Sequence, residues 1–323
     1  MSNENFMGIG QFVWWQGVVE DVDDPLMLGR CRVRVLGFHT DNKSDLPTEH
    51  LPWATPIQPV TSAAMGGIGS SPTGLLPGTW VVGFFRDSMT CQEPIIMGSI
   101  GGIPSEKPPS SVGFSDPSGT YPVEDKLGEP DTNRLARNEK VDETVVKLKK
   151  LNLQTSIAQA LSETEWSEPE SPYAAQYPKN HVTETESGHI QEFDDTPGSE
   201  RIHTYHKAGT FSEIHPDGTK VSKIVGDNYT IVLEDNKILI KGTKTENIEG
   251  DSNLRINQNL NIQVDGDVNF LMNGNCTMET KGDFFHKVGG VYAVVSEGNM
   301  VFLAPRIDLN PNDSDPSTVA DPF

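Results

Sequence analysis

Glycine returns every eight residues through the last third of this 323-residue chain, at Gly242, Gly250, Gly266, Gly274, Gly282, Gly290 and Gly298, and Gln258 stands alone in the same register. Side chains alternate between these marks. The large apolar ones fall at even positions: Ile248, Leu254, Ile256, Leu260, Ile262, Val264, Val268, Phe270, Met272, Met278, Phe284 and Val288. Odd positions from Glu249 to Asn269 are all polar or charged. A period of two is that of an extended strand with one dry face. Because eight is even, a corner at each glycine restores the same parity on the next strand. Glycine suits a corner because it accepts positive φ and tolerates close backbones, and Asp251, Asp267, Asn275, Asp283 and Asn299 add turn chemistry. The pattern predicts a prism over 240–309, with glycine corners, an apolar core and a polar skin.

One copy cannot fill that prism. At three units per coil it makes barely two and a half coils, too few to stack well. A lone ribbon leaves half its backbone bonding groups at open edges, and its apolar burial falls short of the entropy of fixing its backbone. Several intertwined copies share one core and remove the edges. The parity then sends His286 inward, where copies would set imidazoles around an axis. The bland reading is a satisfied core histidine, and the sharper one is a weak metal or anion site. Lys244 and Glu246 share that parity and are placed to pair between copies, and Cys276 reads as a small core residue. Val291, Ala293, Val295, Val301 and Leu303 are odd yet apolar, which marks either contact with a partner or a local widening. Val301, Leu303, Pro305 and Ile307 are the candidate partner contacts.

Upstream, residues 1–103 read as a barrel domain of four or five short strands, including runs at 12–19, 30–37, 79–85 and 94–100 broken by Gly and Pro. Closure is the usual way for a small all-β domain to hide its edges. Residues 104–180 are rich in Pro, Ser and acids and read as an extended linker, with a short helix at 139–151 suggested by Val141, Val145, Leu148 and Leu151. Residues 181–239 read as a neck of hairpins, with strands at 188–193, 200–205 and 211–215 separated by turn residues. Residues 310–323 read as a flexible acidic tail. The fold class is all-β.

The formal net charge of -21 repels phosphate and argues against a nucleic-acid partner. Three distant cysteines with no CxxC spacing argue against a disulfide scaffold or structural zinc, and the chain reads as a soluble product of a reducing cytosol. No metal or cofactor is expected beyond ions on an axis. His203 and His206 fall on opposite faces of a strand, so they do not form one ligand set with His189 and His215. Glu124, Asp125, Glu129 and Asp131 are acidic, but a general acid needs a buried pocket to raise its pKa. No enzymatic activity is expected.

Longer strings carry a resemblance. Gly17-Val18-Val19-Glu20-Asp21, Asp24 to Val35, Leu51-Pro52-Trp53, Ile57 to Met65, Gly113 to Pro117, Glu184 to Gly198 and the octads are together similar to the tail-lysozyme hub family, the central spikes of T-even-type contractile phage baseplates. Valine-glycine repeat spikes of type VI secretion share the architecture. The resemblance implies an N-terminal oligonucleotide/oligosaccharide-binding (OB) barrel and a homotrimer ending in a triangular intertwined β-helix. It also implies docking on a hub ring protein at the end of the tail tube, a small conical protein at the tip, and transient contact with the host envelope on sheath contraction. The particle would assemble in the host cytoplasm. This chain departs from the lysozyme-bearing members in having only the linker where their muramidase sits. Two alternatives stand: a spike of a type VI or contractile-bacteriocin particle, and a saccharide-binding OB module.

Overall fold

β-Branched and aromatic runs broken by Gly and Pro build the first half of the molecule. The computed structural model describes residues 12–307 except 67, 88–89, 103–127, 129, 140–155, 160 and 162–163. The chain divides into two units, Met1–Asp251 and Ser252–Phe323.

Five strands close the barrel: β1 (Val13–Asp21), β2 (Cys31–Val35), β3 (Trp53–Pro56), β4 (Trp80–Phe85) and β5 (Pro94–Ile100). Their order is β1-β2-β3-β5-β4, with β4 returning to β1. Every neighbour is antiparallel except the parallel pair β3 and β5. Alternate residues point inward, so Trp15, Val19, Val33, Val35, Val81, Phe85 and Ile96 form the core with Cys31 and Ala54. Gly83 lies at a register shift in β4. A Cβ there would stand 2.0 Å from the Ile95 carbonyl oxygen and 2.4 Å from the Trp15 ring, so the barrel closes over a missing side chain.

The second sheet is a five-stranded antiparallel meander of β8 (Asn180–Glu184), β9 (Ile190–Asp194), β10 (Arg201–Tyr205), β11 (Phe211–Ile214) and β12 (Lys220–Lys223). Before it come α1 (Arg134–Arg137) and the small pair β6 (Ile157–Ala158) and β7 (Glu165–Trp166). Asn133 caps α1 by accepting the Leu135 N–H at 2.8 Å, and the helix ends after one turn at Asn138 in the left-handed region. One face of the sheet packs Ile190, Tyr205 and Phe211 against Leu135, Tyr173 and Ala175. Part of the stretch read as linker is therefore a folded cover for the neck, because Leu135 and Tyr173 are isolated apolar residues with no period to reveal them. The helix suggested at 139–151 falls, apart from Glu139, outside the described residues, as does the tail at 310–323.

Candidate functional site

From Ile224 to Ile307 every residue is exposed, and none belongs to a strand pair. The backbone bends every eight residues, at 225–226, 233–234, 241–242, 249–250, 257–258, 265–266, 273–274, 281–282, 289–290 and 297–298. This local pattern holds in the part of the span belonging to each unit. Each corner glycine takes the second position of a bend, and Gln258 takes the same place in its own unit. The pattern starts at Val225–Gly226, inside the stretch read as neck. Gly226 stands two periods before Gly242, a signal the sequence does carry.

Positive φ does not account for glycine at the corners. None of the seven corner glycines adopts positive φ, and within one chain nothing lies within 4 Å of a Cβ built on any of them. A negative φ is open to every L residue, which is why Gln258 fits.

Every core position named from parity is exposed within one chain: Ile248, Leu254, Ile256, Leu260, Ile262, Val264, Val268, Phe270, Met272, Met278, Phe284 and Val288. Leu254 is 79% exposed and Phe270 81%. Val301, Leu303 and Ile307 are exposed as well, as is Pro305. Leu271 and Phe285 are further odd, exposed apolar residues, so the polar skin breaks earlier than Val291. Lys244 and Glu246 meet within one chain, Nζ to Oε2 at 2.6 Å, because two residues on one strand face share a side. Cys276 is exposed and unpaired with sulfur. His286 packs on Tyr292 at 4.9 Å and Phe284 at 6.1 Å between ring centres. His206 stacks on His189 at 4.6 Å, while His203 is buried. Among the described residues no group of three or more His, Cys, Asp or Glu could hold a metal ion.

A second apolar row escaped the sequence reading. Phe193, Ile202 and Ile214 lie directly opposite one another across β9, β10 and β11 and stay exposed. This is the sheet face turned away from α1. A ribbon outside any strand pair, with its apolar side chains exposed, has a physical capacity for association.

Carboxylates elsewhere are committed to structure. Glu20 and Arg34, both fully buried, pair at 2.8 Å across β1 and β2, and Arg34 also donates to the carbonyls of Thr40 at 2.7 Å and Leu46 at 2.8 Å. Asp24 clips its hairpin by accepting the N–H groups of Leu26, Leu28 and Arg30 and the Arg30 guanidinium at 2.7 Å. The Arg30 side chain holds the Asp24 carboxyl well below the usual carboxylate range, with burial opposing and the N–H groups assisting. Asp131, the one described member of the acidic group in the linker, is exposed and accepts from the Gly102 N–H at 2.5 Å. It borders a cleft of about 600 Å³ with Asn133, Tyr177, His181 and Glu184, where Asn133 Nδ2 donates to Glu184.

A family model described as the Gp5 N-terminal OB domain matches residues 37–197. Protein Gp5 of Vibrio phage KVP40 (isolate Vibrio parahaemolyticus/Japan/Matsuzaki/1991) is 46% identical over 288 residues, covering 80% of this chain and 68% of that protein. The pre-baseplate central spike protein Gp5 of Enterobacteria phage T4 is 48% identical over 151 residues, covering 45% of this chain and 26% of the T4 protein.

Proposed function

The chain belongs to the Gp5 family of central spike proteins in contractile-phage baseplates, and from that premise we propose that it works as a homotrimeric, non-enzymatic spike. The observation that carries this reading is the ribbon at 224–307, whose bends keep an eight-residue step while its apolar residues find no cover. Three copies wound together bury that face in a triangular β-helix and pair the backbone groups that one copy leaves open. Bending such a prism breaks many bonds at once, which suits it to compressive load when the sheath contracts and the host envelope is pierced. The N-terminal barrels dock on the hub ring at the end of the tail tube. A small conical tip protein covers the apolar end at Val301, Leu303, Pro305 and Ile307.

Mass measurement in solution tests the assembly: a detergent-resistant species of three times 35.4 kDa is expected, and a stable monomer refutes it. The absence of hydrolysis is tested separately by incubating purified protein with peptidoglycan. Release of soluble fragments would overturn the non-enzymatic assignment and leave the spike intact.

A further inference from the structure

The two faces of the neck sheet divide its charges unequally. All four carboxylates on its strands, Glu184, Glu192, Asp194 and Glu213, take the parity that faces α1, as do Arg201 and His203. Apart from Glu184 these side chains are buried. The opposite face carries no carboxylate on its strands. His181, Phe193, Ile202, Ile214 and Lys220 form one row from β8 to β12, each directly opposite the next. Thr183, Gln191, Thr204, Ser212 and Ser222 form the row beside it in the same way. Phe193, Ile202 and Ile214 are 48%, 46% and 37% exposed.

That composition is unlike the rest of the molecule, in which 46 of 323 residues are Asp or Glu. Acids return at the margin of the face: Asp195 and Glu200 flank the β9–β10 turn and Asp217 sits in the β11–β12 turn, all exposed. An apolar centre free of carboxylates, neutral polar neighbours and a charged rim are the make-up of a protein interface. The face is also physically separate from the cover described above, because Leu135 and Tyr173 pack on the other side of the same strands.

We propose that this face is a contact between copies of the chain, so that the assembly begins at the neck sheet and not at the ribbon. The inference rests on the homotrimer reading above. Charge selects a second copy as the occupant. Copies with a formal net charge of -21 each repel one another, and a face without carboxylates is where that repulsion is least. Connection selects it too. The uncovered ribbon starts at Ile224, the residue after β12, so copies wound together along it hold their neck sheets at high effective concentration. Ile224 is itself exposed and has the even parity of the outward residues Lys220 and Ser222. The contact also has a use. Octads repeat and so tolerate a slip of eight residues, whereas the neck rows do not repeat and can fix the register of the copies.

Maleimide labelling of the full-length Ile202→Cys protein tests this, with peptide mapping to separate the new thiol from Cys31, Cys91 and Cys276. Lys207→Cys, in the exposed turn between β10 and β11, supplies the reference rate. Position 202 should label more slowly by about tenfold or more, since the reagent must wait for the face to open. The mass of the same sample separates two failures. Labelling at the reference rate in a particle of three copies overturns this contact and leaves the homotrimer standing, and a stable monomer overturns both. Ile202→Asp keeps the test open if the cysteine disturbs assembly. On a free surface that substitution is near-silent, whereas between copies it buries unpaired carboxylates, so the trimer should withstand detergent only to a lower temperature. Resistance equal to that of the unaltered protein would overturn the contact.

Discussion

Replacing Arg34 by methionine should unfold the barrel at markedly lower denaturant. Methionine keeps most of the apolar stem and removes a guanidinium that makes four contacts, two to Glu20 at 2.8 and 3.1 Å and one each to the Thr40 and Leu46 carbonyls. Glu20, with a fully buried side chain, would keep, among the described residues, the Thr48 hydroxyl at 2.8 Å and Lys43 at 3.7 Å. Removing one partner of a buried pair costs about 3–5 kcal/mol. Lys43 is 24% exposed and can swing toward the orphaned carboxylate, which favours the lower end, about 3 kcal/mol. The loop between β2 and β3 should loosen with it, since two of its carbonyls lose their donor. Urea unfolding followed by tryptophan fluorescence suits the measurement, because Trp14, Trp15, Trp53 and Trp80 lie in the barrel strands and only Trp166 lies outside them. The double variant Glu20→Gln, Arg34→Met removes both charges and should recover much of the loss. A single-variant loss below about 1 kcal/mol, the level of a surface pair, would refute the reasoning, and so would a double variant as weak as the single.

Phe270→Asp should prevent assembly, because copies that close around the even face would bury unpaired carboxylates together; a normal trimer on gel filtration would show the inward parity to be wrong. Gly83→Ala should destabilise the barrel by about 1–3 kcal/mol or more, since the added methyl meets the Ile95 carbonyl and the Trp15 ring; an unchanged melting temperature would contradict that packing. Asp24→Asn should weaken the hairpin at neutral pH, and its deficit should shrink as pH falls below about 4. The sign follows from the depressed Asp24 pKa, which places its contribution above the unfolded value and removes it on acidification. A deficit that persists undiminished in thermal melts at low pH would argue against the charge-based account.

Legibility in the sequence followed local pattern. β1, β2, β4 and β5 lie in runs of Val, Ile, Phe and Trp, and β9, β10 and β11 lie between Gly-marked turns, so propensity and punctuation find them. β3 is four residues ending in Pro56, and β8 and β12 are mostly polar edge strands. Their pairing is what makes them strands: β3 is held by β2 and β5, both distant in the chain, and β8 and β12 by the hairpin partners β9 and β11. The buried charges were invisible for a related reason. In β10 the apolar Ile202 looks inward-facing and the charged Arg201 and His203 look outward, yet the cover formed by Leu135 and Tyr173 lies on the charged side.

The eight-residue step, the two-residue alternation, the acidic balance and the resemblance to baseplate spikes are properties of residue order alone, because period and charge do not depend on what packs against them. Which face of a strand is dry does depend on it. Only the tertiary structure put Glu192, Arg201, His203 and Glu213 under one lid and left Phe193, Ile202 and Ile214 bare, since burial is set by the segment that arrives from elsewhere in the chain.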